Sequence, residues 1–148
     1  MKKAIAGLGM IGLLMSMNAY AHETINLDNN SSYLLTKLNE TNDDLYDWKF
    51  PNVLTSNSYG FVHYSYDYGF FGGISGQGDV YYQTSCGNNQ VETIHIRTDI
   101  IKDGEYYSHI KVDTSGASCV LASPSESMSN AYTFSANTVT FSNNPQGN

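Results

Sequence analysis

The chain has 148 residues with a net formal charge of −7, and 41% of the residues are hydrophobic. This acidic balance argues against nucleic-acid binding, because the chain would repel a phosphate backbone. It also argues against simple electrostatic capture by anionic lipid head groups. A membrane partner would have to be recognised through aromatic or head-group-specific contacts.

Residues 1–21 have the pattern of a secretory signal peptide. Two lysines precede an apolar run from Ala4 to Met17, and small residues at positions 19 and 21 fit cleavage after Ala21. The apolar run is too short to span a membrane, and no cysteine stands at the cut to carry a lipid. We therefore expect a secreted or periplasmic protein that begins at His22. Its net charge falls from −7 to −9 when the two lysines are removed.

Residues 22–141 are predicted to form one all-β domain, an antiparallel β-sandwich of about eight strands. Helical periodicity is nearly absent, and short runs rich in Tyr, Thr, Val and Ile are separated by Gly, Asn, Asp and Ser. Residues 142–148 are predicted to be a polar, frayed tail. The predicted strands are Thr24–Asp28, Ser32–Leu38, Tyr59–Tyr66, Asp79–Ser85, Val91–Thr98, Tyr106–Asp113, Ala117–Ala122 and Ala131–Phe141, the last of them split in two.

The segment Tyr59–Phe71 carries seven of the nineteen Tyr, Phe and Trp residues of the chain and is followed by a glycine-rich run. Side chains of a strand alternate between its two faces, so the even-numbered residues from Val62 onward share one apolar face. We expect that face to be directed to the core near Val62 and Tyr64 and to become a ligand-facing rim from Tyr66 to Phe71. Trp48 is either a core anchor or an exposed binding platform. The candidate ligand-binding residues are Trp48, Tyr64, Tyr66, Tyr68, Phe70 and Phe71.

The strand predicted at Val91–Thr98 separates two kinds of side chain. Ile94 and Ile96 alternate with His95 and Arg97. We expect the isoleucines to face the core, and the polar pair to face solvent or a polar groove, where contact with a ligand is the alternative.

Cys86 and Cys119 are the only cysteines, and in an exported chain they most simply form one structural disulfide. This link would close a loop of about 34 residues and stabilise the fold by roughly 3–4 kcal/mol. The scattered carboxylates provide no general acid and base pair, and the serines and glycines match neither a hydrolase motif nor a nucleotide loop. We therefore expect a protein without enzymatic activity and without a cofactor.

His22 offers an alternative chemistry, a copper site at the mature N-terminus. Its α-amine and ring nitrogen could chelate one ion, and His63, His95 or His109 could add a second imidazole. This arrangement resembles the mature N-terminus of copper-dependent polysaccharide monooxygenases and of periplasmic copper carriers with an immunoglobulin-like fold. The position of His22 alone carries that resemblance, and the alternative is a solvated first residue.

The order of features over about residues 25–82 resembles the aegerolysins, small β-sandwich proteins related in shape to actinoporin-like lipid binders. The resemblance implies a secreted protein that recognises a membrane lipid head group, in some cases together with a larger pore-forming protein partner. The chain departs from the family in having a single proline where a pair is usual and in its two added cysteines. The matching features are Ile25-Asn-Leu27, Asn30-Ser-Ser-Tyr-Leu34, Trp48, Pro51, Gly60-Phe61, Gly76-Gln-Gly78 and Val80-Tyr-Tyr82.

Four functions remain open at this point. The first is binding of membrane lipid through interfacial aromatic rings. The second is a carbohydrate-binding module, in which rings stack on sugars and Asn, Asp and Gln bond the hydroxyls. The third is the copper site at His22, and the fourth is a structural or interaction domain without a small ligand.

Overall fold

The computed structural model describes residues 19–68, 76–87, 91–103, 105–130 and 136–146, and it confirms the all-β prediction. This part of the chain forms ten strands, two more than the eight predicted, and contains no helix that could cross a membrane. In chain order the strands are β1 (Ala19–Asn29), β2 (Leu35–Asp43), β3 (Val53–Leu54), β4 (Ser58–Tyr68), β5 (Gln77–Ser85), β6 (Val91–Asp103), β7 (Glu105–Asp113), β8 (Val120–Ser123), β9 (Glu126–Asn130) and β10 (Ala136–Asn143).

The strands form two sheets that pack together as a sandwich. The first sheet has the order β4-β1-β10-β8, and the second has the order β3-β2-β5-β6-β7-β9. Every pairing is antiparallel except that of β1 with β10, which is parallel. The first and last of the described strands are therefore neighbours in the middle of the first sheet.

Alternating side chains from both sheets fill the space between them. β1 contributes Ile25 and Leu27, and β6 contributes Ile94 and Ile96, all four completely buried. The prediction for Ile94 and Ile96 is therefore confirmed. Both isoleucines face inward because the polar side chains that alternate with them keep their hydration on the outer face.

The predicted disulfide between Cys86 and Cys119 is present. Cys86 follows β5 of the second sheet and Cys119 precedes β8 of the first, so the bond links the two sheets. A disulfide of this kind persists in an oxidising compartment.

Several boundaries differ from the prediction because pairing between distant strands decides where a strand ends. β2 continues to Asp43, through a segment that is acidic in sequence, since β5 pairs with it over this length. β3 has only two residues and was not predicted. β10 continues to Asn143, and the backbone N–H of Asn144 donates to the Cys119 carbonyl at 2.8 Å. The predicted tail therefore begins too early.

A small polar layer lies between the sheets beside the hydrophobic core. Ser129 Oγ donates to Glu23 Oε2 at 2.8 Å, and Asn137 Nδ2 donates to Ser129 Oγ at 2.9 Å. Burial raises the pKa of Glu23, although hydrogen bonds from Ser129 and Tyr66 oppose that rise. The hydroxyls of Tyr64 and Ser108 also bond to each other across the sheets. These contacts give partners to buried hydroxyl and amide groups and to Glu23 Oε2, whereas Glu23 Oε1 is buried without a hydrogen bond among the described residues.

Candidate ligand-binding face

Three of the candidate ligand-binding aromatic residues are buried, as expected for Tyr64 and contrary to the exposure predicted for Tyr66. Trp48, Tyr64 and Tyr66 are only 3%, 2% and 0% exposed, so their rings belong to the core. Tyr64 and Tyr66 are on the inner face of β4 because the even-numbered face continues inward without a break. The predicted rim therefore does not include Tyr66, and a ligand cannot reach these three rings in this conformation.

Of the two alternatives predicted for Trp48, a core anchor and an exposed binding platform, the structure shows the core anchor. Its ring centroid lies 4.6 Å from that of Phe50 and 6.3 Å from that of Tyr64. The ring also covers Gly78 of β5, where a Cβ would lie 2.4 Å from the indole nitrogen. The absence of a side chain at Gly78 thus makes room for the only tryptophan.

The side chains of the other three candidate residues are not among those that the structure describes. Tyr68 is the last residue of β4, and only its backbone is described. Phe70 and Phe71 lie outside the described residues. Their role as ligand-contacting residues remains a prediction.

The exposed aromatic residues of β4 are the odd-numbered ones. Tyr59 is 80% exposed and Phe61 is 56% exposed, and His63 follows on the same face. The Phe61 and His63 rings lie 5.1 Å apart, centroid to centroid. The sequence prediction placed Tyr59 and Phe61 on a shared side but did not select them. The alternation of side chains along β4 could have identified them, because it places Tyr59 and Phe61 on the face of the strand that points away from the buried Val62.

A row of polar side chains lies next to these rings on the outer face of the first sheet. In the register of β1 and β4, Asp28 faces Tyr59, Asn26 faces Phe61 and Thr24 faces His63. Thr138 of β10 extends the row, with Asn26 Nδ2 3.4 Å from its hydroxyl. We call Tyr59, Phe61, Asn26, Asp28 and Thr138 the aromatic–polar face. It combines apolar ring surface with hydrogen-bonding groups.

Two clefts lie beside this face. A cleft of about 310 Å³ is lined by Phe61 together with Lys49, Phe50, Pro51 and Asn52. A second cleft of about 280 Å³, here called the histidine cleft, is lined by His22, Glu23, Thr24, Asp47, His63, Tyr64 and Ser65. Both clefts border β4, so a ligand on the exposed rings could extend into either one.

The segment before β4 completes the wall of the histidine cleft. The backbone N–H of Tyr46 donates to the Ser65 carbonyl at 2.8 Å, and the Ser65 N–H donates to the Tyr46 carbonyl at 2.9 Å. This bridge holds Asp47 next to β4 in a left-handed conformation with φ of 58°, which aspartate tolerates better than most residues.

The outer face of the second sheet carries side chains that are bonded to one another. His95 Nε2 lies 2.7 Å from Asp79 Oδ1, and the His95 ring stacks on that of Tyr81. Arg97 Nε donates a hydrogen bond to Asp99 at 2.9 Å. His95 and Arg97 thus face outward, as predicted. On β7, His109 Nε2 lies 2.5 Å from Glu126 Oε1. These pairings indicate a stabilising role for the two histidines.

One group of metal-ligand residues has a structural explanation. Cys86, Glu92 and Cys119 bring their ligand atoms within 4.8 Å of one another. Both sulfur atoms are used in the disulfide, and Glu92 accepts a hydrogen bond from the Ser118 hydroxyl at 2.7 Å. The group therefore does not offer two thiolates to an ion.

The sequence matches no protein-family model, and no curated protein is significantly similar to it. The aegerolysin resemblance stays a prediction, since a two-layer β fold is shared by many families with different functions. We therefore argue the function from the geometry of the aromatic–polar face.

Proposed function

We propose that the protein is an exported, non-enzymatic binding protein that holds a carbohydrate on its aromatic–polar face. The observation that carries the proposal is the pair of exposed rings, Tyr59 and Phe61, beside the polar row of β1. Residues two apart on a strand are about 7 Å apart, so the two rings offer successive stacking positions to an extended ligand.

The chemistry of this face fits a sugar because a sugar presents both apolar and polar groups. Its C–H surface packs on an aromatic ring, and its hydroxyls require nearby donors and acceptors. Asn26 supplies both a donor and an acceptor, Asp28 supplies acceptors, and the Thr138 hydroxyl can do either. Asn26 and Thr138 bond each other, but a purely apolar ligand would still displace water from the Asp28 carboxylate and from the remaining bonding capacity of the other two groups, which costs free energy.

Membrane lipid, the ligand class expected first from the sequence, has less support from the described residues. Three of its six candidate aromatic residues are buried. The other three lie at or beyond the end of β4, where no side chain is described. Vesicle binding is therefore one arm of the test below.

Export is supported by two independent features. One is the predicted signal peptide, and the other is the disulfide, which is typical of oxidising compartments. Mass spectrometry of the protein secreted or released from the periplasm should show a chain that begins at His22.

A glycan array and quantitative titration with the best glycan test the carbohydrate proposal. Simultaneous replacement of Tyr59 and Phe61 by alanine should weaken binding by at least about tenfold, because both stacking surfaces are lost. Both side chains are exposed, so the variant should retain the parent's unfolding midpoint.

The matched control replaces two exposed apolar side chains of the second sheet, Leu38 and Met128, by alanine. It should bind the glycan like the parent. The proposal is wrong if the parent binds no glycan. It is also wrong if the Tyr59 and Phe61 double variant binds the glycan as tightly as the Leu38 and Met128 control. Binding only to vesicles of phosphatidylcholine, sphingomyelin and sterol would also contradict it and would favour the lipid alternative.

A further inference from the structure

His22 and His63 line the same cleft, together with Asp47. The two histidines come from neighbouring strands, since His22 faces Ser65 and Thr24 faces His63 in the register of β1 and β4. They are therefore diagonal neighbours on the outer face of the first sheet. Such residues lie about 7–8 Å apart at the backbone, a distance over which two long side chains can meet.

The ring of His63 is held in a way that suits a metal ligand. Its Nδ1 lies 2.9 Å from Thr24 Oγ1. When the Nδ1 hydrogen donates to this hydroxyl, the lone pair of the imidazole is on Nε2, which is the atom free to bind an ion. A hydrogen bond at the other ring nitrogen commonly fixes the orientation of a metal-binding histidine.

The other two histidines are already engaged elsewhere. His95 pairs with Asp79 and His109 pairs with Glu126, both on the second sheet. Of the three histidines that could accompany His22, the fold therefore brings only His63 into the same cleft. Asp47 adds a carboxylate from the segment bridged to β4.

We infer that the histidine cleft binds a divalent transition-metal ion through the imidazoles of His22 and His63, with Asp47 as an oxygen ligand. Imidazole nitrogen with one carboxylate oxygen suits Cu(II) and Zn(II) rather than Mg(II) or Ca(II). If the chain begins at His22, the α-amine adds a third nitrogen. That donor set favours Cu(II), which accepts nitrogen ligands in a tetragonal arrangement.

Binding requires a local rearrangement of side chains. In the structure the ligand atoms of these three residues do not all lie within 4.8 Å of one another. His22 and Asp47 are exposed, so rotation about their side-chain bonds meets little steric resistance, and they can turn towards the His63 ring that Thr24 holds. The strands that carry the histidines need not move.

The test uses protein that begins at His22, verified by mass and freed of metal with a chelator. Calorimetry with CuSO4, and separately with ZnSO4, should show one ion bound per chain. His22→Ala and His63→Gln should each weaken Cu(II) binding by at least about tenfold. His95→Gln, which removes a histidine of the second sheet, should bind Cu(II) like the parent.

A version with one additional residue before His22 separates the contribution of the α-amine. It should bind Cu(II) more weakly than the parent and still depend on His63. Electron paramagnetic resonance of the Cu(II) protein should show nitrogen coupling that decreases in His63→Gln. Unfolding curves of the metal-free variants should match the parent, because both histidines are exposed.

Equal Cu(II) affinity for the parent and His63→Gln would falsify the two-histidine site, since the first residue would then chelate the ion alone. Equal losses in His63→Gln and His95→Gln would also contradict it. Neither result depends on carbohydrate, so failure of the metal site and failure of the proposed glycan binding are distinguishable.

Discussion

At the scale of single residues, Asp79 shows how an outer-face carboxylate of the second sheet is held. Gln77 Nε2 donates to Asp79 Oδ2 at 2.9 Å, and His95 Nε2 lies 2.7 Å from Oδ1. Burial alone would raise the pKa of Asp79. The hydrogen bonds from Gln77 and His95, with the charge of Arg97, outweigh burial and lower the pKa below its usual value of 3.8.

Because this pKa is lower in the folded chain, Asp79 stabilises the fold fully above pH 3.8 and loses that contribution as the pH falls through the folded pKa. Asp79→Asn should therefore unfold at lower urea concentration at pH 7, with a loss of about 0.5–1 kcal/mol. The difference from the parent should shrink towards pH 3. In a His95→Gln background the loss at pH 7 should be smaller. A difference that stays constant with pH would contradict this assignment.

Alternation along a strand predicted some residue positions but could not predict others. On β6 the two faces differ in polarity, so the inward positions of Ile94 and Ile96 followed from the sequence. On β4 the even-numbered face was expected to meet the core at Val62 and Tyr64, and it does. How far along β4 the second sheet covers that face is a tertiary effect, so the burial of Tyr66 did not follow from the pattern of β4 alone.

At the scale of elements, the contact between Trp48 and β5 fixes the segment that joins β2 to β4. Trp48 belongs to no strand, so no periodicity in the sequence indicated its environment. The ring fits only because Gly78, the second residue of the paired strand β5, has no side chain. A glycine at such a position often marks a close approach of another group.

Gly78→Ala should be destabilising because the new Cβ would lie 2.4–2.5 Å from atoms of the Trp48 ring. We expect a loss of about 1–3 kcal/mol in the free energy of unfolding, as for other overpacked cores. The emission of this single tryptophan should shift to longer wavelength as water reaches the displaced ring. Ser85→Ala, an exposed position of the same strand, is the control and should change neither quantity. A Gly78→Ala protein with the parent's stability and emission would show that Trp48 can move aside.

At the scale of the whole molecule, the first and last of the described strands pair in the middle of the first sheet. β10 lies between β1 and β8, and it pairs in parallel with β1 from Thr24 to Asn29. Most of the strands could be predicted from local alternation. This parallel pairing could not, because it joins segments more than 100 residues apart and leaves no local signature.

A chain that ends at residue 135 should therefore fail to fold. Removing β10 leaves the backbone of β1 and β8 unpaired along the vacated edge and removes Val139 and Phe141, which are 1% and 0% exposed. Loss of a buried Phe side chain alone costs about 3–5 kcal/mol, a large part of the 5–15 kcal/mol that stabilises a typical domain.

A chain that ends at Asn144 keeps β10 and the hydrogen bonds of Asn144 to Cys119 and Ser118, so it should unfold within about 1 kcal/mol of the parent. Circular dichroism during urea denaturation compares the two truncations. A cooperative transition in the chain that ends at residue 135 would show that β1 and β8 do not need β10 between them. The absence of such a transition, with normal unfolding of the longer chain, would show that the sandwich becomes stable only when the last strand inserts beside the first.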